Sequence, residues 1–305
     1  MTEITTINPS YSTTRTVTRQ QPVIEKQTEG KFETVLFLPE GEARQGEGGL
    51  RTQGYFKTSL EGKPLITVVT VVFNGEKYLE NTILSVINQA YDNVEYIIID
   101  GGSTDGTIDI IKKYEDKLDY WISESDDGIY DAMNKGIDLV TGEWVNFVNS
   151  SDMLNGNAYT VILDCLVKKS HKCDVIAFGY SIVNIKSNLL KTDFKPNLNK
   201  KWKMPSSHNS IVYKSNVLRE YKFNLNFKYA SDFDQINKIN NTRIICKNNY
   251  ILLRLRNDGF IAQNKRQSFL EYFQICRKDI NKIYALYWLS RSILEYAFLK
   301  IRKVQ

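Results

Sequence analysis

The stretch IIIDGGSTDGT, residues 97–107, is the most informative segment of the sequence. Three isoleucines lead into Asp100, and two glycines and a Ser-Thr-Asp-Gly turn follow. A continuous β-branched run is typical of a strand buried on both faces, as in a parallel sheet. The glycines allow the following backbone to come close to a ligand. The stretch therefore predicts a buried strand that brings a carboxylate to the edge of a sheet. A purely structural aspartate that caps a tight turn would be equally consistent with this sequence.

Predicted strands and helices alternate on both sides of this stretch. The strands are LITVVTVVF (65–73), VEYIIID (94–100), DYWIS (119–123) and EWVNFVN (143–149), and the intervening segments 76–90, 103–114 and 129–140 have helical spacing. Four such strands within about ninety residues predict an α/β fold with an open, mostly parallel sheet flanked by helices.

Polar or aromatic residues follow each of these strands. Phe73 and Asn74 end the first strand, Asp100 ends the second, the acidic loop 124–128 follows the third, and Asp152 follows the fourth. In open α/β sheets ligands bind beyond the carboxyl ends of the strands. The sequence therefore predicts a ligand site at this edge.

The net charge of +5 favours an anionic partner, but the sequence has no basic tract or zinc-finger spacing, so we do not expect a nucleic-acid binder. The four cysteines form no CxxC pair, which predicts reduced thiols in a cytoplasmic protein. The N-terminus lacks the apolar core of a signal peptide, and no apolar run is long enough to span a bilayer.

Composition divides the chain into three parts. The composition of residues 1–63 predicts a partly disordered N-terminal extension, with a short strand at KFETVLFLP (31–39). Residues 64–265 form the predicted catalytic domain. Residues 266–305 form a basic, aromatic-rich amphipathic helical segment, which suits either a membrane interface or packing on the domain or on a second subunit.

Two longer segments resemble a known family. TVVTVVFNGEKYLENTILSVINQAYDNVEYIIIDGGSTDGT and ISESDDGIYDAMNKGIDLVTGEWVNFVNSSD look like the inverting family-2 glycosyltransferases with a GT-A fold. The bacterial enzymes of O-antigen, capsule and exopolysaccharide synthesis are particularly similar. The resemblance is continuous over 65–152 and weaker to about residue 265. It implies a Rossmann-like sheet and transfer of a sugar from a nucleotide-diphosphate sugar to a hydroxyl of a saccharide acceptor.

The resemblance also implies roles for single residues. It places the nucleotide-sugar against Val71, Phe73, Asn74, Asp100, Gly101, Asp131, Asn134 and Asp152. Within this set the backbone of Val71 and the ring of Phe73 line the base pocket, and Asp100 accepts hydrogen bonds from the base. Lys135 either approaches the diphosphate or is solvated on the outer face of its helix.

Asp152 aligns with the last carboxylate of the family's DxD-type motif, which binds Mg²⁺ or Mn²⁺ between the two phosphates. A hard cation suits this place because the diphosphate leaving group gains negative charge. This chain departs from the family's usual Asn-Ser-Asp-Asp, since Ser151 replaces the first aspartate.

For the general base, Asp232 in KYASDFDQINKI matches the family's carboxylate, with Asp234 as its neighbour. Ser231 or Asp232 would alternatively cap the helix that begins there. His208 falls near the family's acceptor site. In RLRNDGF, with Arg254, Arg256 and Gly259, one arginine is a candidate to hold the diphosphate or an acceptor phosphate.

The implied partners are a nucleotide-sugar donor, with a UDP-sugar favoured, and an acceptor linked to undecaprenyl diphosphate at the inner face of the cell membrane. The Q/RxxRW motif of processive synthases is absent, which favours transfer of one sugar. Ser151 keeps open a binding protein of the same fold that has weak or lost catalysis. The sequence does not favour a dehydrogenase or a nucleotidyltransferase. Both need a Gly-rich phosphate loop directly after the first strand, and this chain has FNGEKY there. Homo-oligomerisation stays open.

Overall fold

Ten strands form one mixed sheet in the part of the chain that the computed structural model describes, which is residues 3–24, 34–40, 44–169, 172–184, 189–198, 203–257 and 264–302. The strands are β1 (Gly46–Gly48), β2 (Ile66–Val72), β3 (Val94–Asp100), β4 (Tyr120–Ser123), β5 (Trp144–Phe147), β6 (Met153–Leu154), β7 (Val175–Val183), β8 (Leu189–Phe194), β9 (Ile211–Lys214) and β10 (Ile245–Arg256). Their spatial order is β1-β4-β3-β2-β5-β9-β7-β10-β6, and β8 pairs with β7.

The four strands predicted from the sequence form one continuous parallel block within this sheet. β2 lies between β3 and β5, and β4 follows on the other side of β3. Every residue of β2 and β3 is buried, because helices cover both faces of the sheet. Val72 is paired with Asp100, so the two strands end side by side. This arrangement confirms the predicted α/β fold.

Eight α-helices occur among the described residues: α1 (Leu79–Ile87), α2 (Thr107–Lys113), α3 (Ile129–Leu139), α4 (Ala158–Lys169), α5 (Ser215–Glu220), α6 (Ser231–Thr242), α7 (Lys265–Ile275) and α8 (Lys282–Arg302). Alternate residues of β2 pack on opposite sides. Val69 belongs to the same core cluster as Met133 of α3, whereas Val68 belongs to the cluster that contains Ile83 of α1. The two helices therefore cover opposite faces of the sheet.

The C-terminal helices pack against the α3 side of the sheet. Ile275 and Ala285 are buried in the core cluster on that side, and the rings of Tyr272 and Trp288 lie 4.5 Å apart. A π-helical turn, Cys276–Ile280, joins α7 to α8. No helix among the described residues is both long enough and apolar enough to cross a bilayer.

The segment before residue 64 is more closely attached than its composition suggests. β1 pairs antiparallel with β4, and residues 12–14 are buried, with Ser12 Oγ donating to the carbonyl of Val86 over 3.0 Å. Residues 34–39 form no strand, contrary to the prediction for KFETVLFLP, whose first residues lie outside the described chain. The described residues of this segment attach to the rest of the domain through hydrogen bonds and ion pairs.

Two charged side chains fix this segment to the sheet. Arg51 Nη2 lies 2.6 Å from Glu95 Oε1, and Lys57 Nζ lies 2.7 Å from Asp119 Oδ2. All four side chains are almost completely buried. Buried ion pairs of this kind are costly to break, because removing one partner leaves the other charge without compensation.

The cysteines correct the prediction of four reduced thiols. Cys173, just before β7, forms a disulfide with Cys246 of β10. The parallel pairing of β7 with β10 places Cys246 opposite Ile176 and brings the two Cα atoms to 5.8 Å. Sequence spacing gives no sign of this pairing, since 73 residues separate the two cysteines. Cys165 and Cys276 are buried free thiols.

Candidate active site

The loops after β2 and β3 are tied together at the carboxyl edge of the sheet. Asn74 has a left-handed backbone, with φ of 50°, and its N–H donates to Ser103 Oγ over 2.7 Å. Its side-chain oxygen accepts the N–H of Thr104 over 2.9 Å. Beside it the ring of Phe73 is 64% exposed. Asn74 therefore shapes the edge, and Phe73 presents an aromatic face to solvent there.

Asp100 is fully buried at the end of β3, and its carboxylate is occupied by the protein itself. Oδ2 accepts the backbone N–H of Ser103 over 3.0 Å and the hydroxyl of Ser123 over 2.6 Å. Oδ1 accepts the hydroxyl of Ser103. Asp100 thus holds the DGGST turn against β4. Its contact with a base stays a prediction.

The loop after β4 brings Asp126 onto Gly101. A Cβ atom on Gly101 would stand 3.0 Å from Cγ of Asp126, closer than packed atoms allow. Asp126 Oδ1 accepts the N–H of Gly128 over 2.8 Å, and loss of hydration raises the pKa of this carboxyl. Sequence analysis did not single out Asp126, although the ESDDG run that follows β4 contains it.

The predicted site residues on α3 make contacts with different parts of the protein. Asp131 is half-buried in the first turn and accepts the N–H of Asp127. Asn134 Nδ2 donates to the carbonyl of Phe223 over 3.0 Å, and its Oδ1 accepts the N–H of Phe223 over 2.9 Å. Lys135 Nζ lies 2.8 Å from Glu124, the residue that follows β4. Asn134 therefore binds the loop that contains Phe223 to α3. Its contact with a nucleotide-sugar stays a prediction.

Asp152 lies just past β5 and is nearly buried. Its Oδ2 accepts the amide of Asn209, and its Oδ1 accepts the N–H of Arg256 over 3.3 Å. The guanidinium of Arg256 stacks 3.8 Å from the ring centre of Tyr78, whereas Arg254 is exposed. The structure therefore brings Arg256 to Asp152. Gly259 lies outside the described residues.

The donor set at Asp152 suits a metal shared with a substrate. No group of three or more His, Cys, Asp or Glu side chains suitable for a metal occurs in the described part of the chain. Asp152 supplies a hard carboxylate oxygen at this place. Mg²⁺ commonly uses one or two carboxylates together with phosphates and water. Asp152 therefore fits as one protein ligand of a cation whose other ligands come from the donor.

Asp232 lies in the first turn of α6, half-buried. The hydroxyl of Tyr130 on α3 donates to its Oδ1 over 3.0 Å. Loss of hydration raises the pKa of Asp232 to about 6, against the opposing effect of the Tyr130 hydrogen bond. Ala230 is the N-cap residue of α6, and neither Ser231 nor Asp232 caps the helix from that position. Asp234 is instead buried and paired with Lys238 over 2.6 Å.

His208 is packed among aromatic rings. Its ring centre lies 5.1 Å from Phe147 and 5.4 Å from Phe223, and Nδ1 lies 3.3 Å from the hydroxyl of Tyr213. Burial lowers its pKa to about 3, so the imidazole is neutral at ordinary pH. A neutral, buried ring supports its neighbours, and direct contact with an acceptor stays a prediction.

Contacts between aromatic side chains link Asp232 to residues at the end of β5. The ring of Phe223 stacks on Tyr130, which binds Asp232, and also contacts Phe147 at the end of β5. His208 contacts both phenylalanines, and its neighbour Asn209 binds Asp152. Val71 packs in the same core cluster. Asp232 therefore borders an aromatic floor formed by Tyr130, Phe223 and Phe147, and Asn209, the residue after His208, links Asp152 to it.

Comparisons with known proteins find similar sequences that are described as glycosyltransferases. A Haemophilus influenzae protein described as an uncharacterized glycosyltransferase is 26% identical over 211 residues, which are 63% of this chain and 64% of that protein. The putative teichuronic acid biosynthesis glycosyltransferase TuaG of Bacillus subtilis is 35% identical over 125 residues, 40% of this chain and 48% of that protein. The chain thus spans less than two thirds of these curated relatives.

Solved structures share the fold at low sequence identity. S. aureus TarS 1–349 in complex with UDP gives a TM-score of 0.55 at 18% identity, covering 75% of this chain and 70% of that one. The mannosyltransferase PcManGT from Pyrobaculum calidifontis, in complex with GDP-Man and Mn²⁺, gives 0.53 at 16% identity, covering 77% and 75%. The profile of Glycosyl transferase family 2 matches residues 67–231, more than half of the chain. The protein therefore belongs to glycosyl transferase family 2.

Proposed function

We propose that the protein is an inverting glycosyltransferase that moves one sugar from a nucleotide-diphosphate sugar to a hydroxyl of a saccharide acceptor. The half-buried Asp232 carboxylate, with its pKa of about 6, is the observation that carries the proposal. Direct displacement needs a base that takes the proton of the attacking hydroxyl, and such a base works best when its pKa is near the working pH. Asp232 has both the position beside the aromatic floor and a suitable pKa.

The donor's phosphates would lie near Asp152 and Arg256. Arg256 supplies a positive charge within contact of the Tyr78 ring, and Asp152 would hold Mg²⁺ or Mn²⁺ together with the phosphates. When bound, such a cation offsets the charge that develops on the departing diphosphate. Similar solved structures support a nucleotide-sugar donor, since TarS was solved in complex with UDP-GlcNAc and PcManGT in complex with GDP-Man and Mn²⁺.

Synthesis of a bacterial surface polysaccharide is the process we propose, in line with the name of TuaG. The acceptor would then be a saccharide linked to undecaprenyl diphosphate at the inner face of the membrane. The exposed side of α8 supports membrane contact. It carries the apolar side chains Ile283, Leu286, Ile293 and Leu294, each at least 60% exposed. Lys278, in the turn before α8, and Lys282, at its start, are also exposed, and their charge suits anionic headgroups.

Vesicle co-sedimentation tests this contact. We expect the full chain to pellet with vesicles that contain anionic phosphatidylglycerol and to stay in the supernatant with neutral phosphatidylcholine. Leu286→Glu combined with Ile293→Glu should abolish pelleting. Val167→Glu is the matched control, because Val167 is a 66% exposed apolar residue on α4. Equal pelleting of the double variant and the wild type would exclude α8 as the contact.

Turnover of nucleotide-sugars tests the function itself. The full chain is incubated with Mn²⁺, a panel of UDP-, GDP- and dTDP-sugars and lipid-linked acceptors, and the released nucleoside diphosphate is measured. We expect release with one donor, and inversion at the anomeric carbon in the product. Nucleotide binding without release on any acceptor would favour the second candidate, a donor-binding protein without catalysis, for which Ser151 in place of aspartate is the specific observation.

A further inference from the structure

Arg44 joins the segment before the family-matched region to the loop that follows β4. Its Nε and Nη2 lie 3.2 and 3.1 Å from one carboxylate oxygen of Glu124, Oε2. Nη1 is paired with Glu47 of β1, and Nη2 also donates to the carbonyl of Pro39. The side chains of Arg44 and Glu124 are each 13% exposed. The guanidinium therefore binds three stretches of the chain together: residue 39, β1 and the start of the loop.

The other oxygen of the same carboxylate is bound by Lys135 of α3. Lys135 Nζ lies 2.8 Å from Glu124 Oε1 and donates to the carbonyl of Ser125 over 3.0 Å. Burial raises the pKa of Glu124, but the hydrogen bonds from Lys135 and Arg44 outweigh this effect and leave the pKa lowered. Glu124 is therefore a charged anchor at the start of the loop 124–128, and Arg44 and Lys135 bind it from two different segments.

The loop 124–128 covers the DGG turn at the carboxyl edge of the sheet. A Cβ atom on Gly102 would stand 3.4 Å from the backbone nitrogen of Ser125 and 3.5 Å from Nε2 of Gln45. Gln45 is the residue after Arg44, and the side chains of Ser125 and Gln45 are exposed. A ligand at this edge therefore meets the loop and the neighbouring Gln45 rather than the turn beneath them.

The part of α3 that holds the proposed base is fixed independently of Arg44. Tyr130, which donates to Asp232, is buried in the same core cluster as Met133 and Ile137 of α3. These residues attach the helix to the sheet through apolar packing. Loss of Arg44 should therefore loosen the loop and leave the base in place. An effect on donor binding can thus be separated from an effect on proton transfer.

We propose that Arg44 is a positioning residue for the donor. By holding Glu124 it keeps the loop 124–128 ordered before a nucleotide-sugar arrives, so a residue outside the family-matched region 67–231 contributes to the active site. The inference rests on the proposed nucleotide-sugar donor and adds a residue that prepares its site. Without Arg44, Glu124 keeps its pair with Lys135, so the loop has one anchor instead of two. The donor must then order the loop as it binds, which costs affinity.

Nucleotide binding by Arg44 variants tests the inference. The probe is the tightest-binding of UDP, GDP and dTDP, measured by calorimetry on the wild-type full chain with Mn²⁺. We expect Arg44→Met to raise the Kd of this nucleotide, and the KM of its sugar donor, by about three- to thirtyfold, with kcat within about twofold of the wild type. Arg44→Lys keeps the charge and should recover part of the loss. Glu124→Gln removes the same contact, so adding Arg44→Met to it should cause no further loss.

Arg15→Met is the matched control and should leave the Kd unchanged. Arg15 also lies in the N-terminal segment, but it donates to the carbonyls of Pro9 and of Ala90, which precedes β3, over 2.8 and 3.1 Å. Glu124→Gln covers the case in which Arg44→Met does not fold, and it should also raise the Kd. An unchanged Kd in a folded variant at Arg44 or Glu124, an equal loss in the Arg15 variant, or a fall in kcat without a rise in Kd would overturn the inference alone. A wild type that binds no nucleoside diphosphate would overturn the proposed function.

Discussion

The hydroxyl of Tyr130 donates a 3.0 Å hydrogen bond to Oδ1 of Asp232, joining the first turn of α3 to the first turn of α6. Tyr130 follows the loop after β4, so this bond anchors a carboxylate from the later half of the chain at the edge formed by the earlier half. Burial disfavours the ionised carboxylate, and the tyrosine partly offsets that effect. The bond therefore sets both the position and the acidity of the proposed base.

Asp232→Asn should separate donor binding from turnover. We expect kcat to fall by roughly two to four orders of magnitude, because the amide cannot take a proton, while the Kd for donor nucleotide stays within about twofold. Steady-state kinetics and calorimetry measure the two quantities. Asp234→Asn, at a residue paired with Lys238, is the control and should keep most of the activity. Normal turnover in the Asp232 variant would show that another group is the base.

The same variant should be more stable than the wild type near neutral pH. The folded-state pKa of Asp232, about 6, exceeds the ordinary value of 3.8, so ionisation above pH 6 costs folding free energy, and protonation at lower pH removes that cost. We expect Asp232→Asn to raise the unfolding free energy by on the order of 1 kcal/mol at pH 7.5, allowing for solvent screening. The gain should vanish near pH 4. Urea unfolding at both pH values checks this.

Tyr130→Phe should move the acid limb of the pH–rate profile. In the wild type we expect kcat/KM to fall as the pH drops below about 6, where Asp232 becomes protonated. Removing the hydroxyl takes away a hydrogen bond that favours the charged form, so the limb should shift to higher pH. Tyr221→Phe is the control, because its hydroxyl binds Thr242 at the far end of α6. An identical limb in the Tyr130 variant would contradict the assignment.

Ser151→Asp should strengthen metal-dependent donor binding. A second carboxylate beside Asp152 adds negative charge, and ligand charge is a main determinant of affinity for hard cations. We expect the Mn²⁺ concentration that half-maximally raises Tm in the presence of UDP to fall roughly threefold or more. Ser151→Asn is the neutral control of similar shape to aspartate. Asp152→Ala should remove the Mn²⁺-dependent part of the shift, and a full shift in that variant would place the metal elsewhere.

Arg51→Met should destabilise the whole domain. The substitution leaves Glu95 buried without its cation, which we expect to cost about 3–5 kcal/mol of unfolding free energy. Lys63→Met is the control, because its pair with Asp92 is solvent-exposed and should contribute less than about 1 kcal/mol. Urea denaturation of both variants gives the comparison. Equal stabilities would mean that the segment before residue 64 is only loosely attached.

Local patterns were sufficient to predict the parallel half of the fold. β2 and β3 are continuous β-branched runs, and α1 and α3 have clear helical spacing, so periodicity alone identifies them. β1 was missed, because GEG is a glycine-rich stretch that becomes a strand only through its pairing with β4, more than seventy residues later. Such a pairing depends on tertiary contacts, which a single sequence does not encode locally.

For the site, sequence motifs suggested residues but not their partners. Asp152 and Asp232 were proposed from their motifs, and in the structure Asp152 accepts the amide of Asn209 whereas Asp232 accepts the hydroxyl of Tyr130. No spacing in the sequence reveals that Asn134 binds the backbone of Phe223, or that Asp126 reaches Gly101. These contacts form between segments that are distant in sequence, so residue type indicates their chemistry but not their partners.

The pairing of β1 with β4 limits how far the chain can be shortened at its N-terminal side and still fold independently. A fragment restricted to the family-matched region, residues 67–231, would lack β1, so the backbone N–H and C=O groups along one side of β4 would be unpaired. It would also lack Arg51 and Lys57, so the buried charges of Glu95 and Asp119 would lose their partners. A naked strand edge recruits strands from other molecules, so such a fragment would precipitate or form fibrils. Autonomous expression thus requires a start upstream of Gly46, well before the family's own boundary.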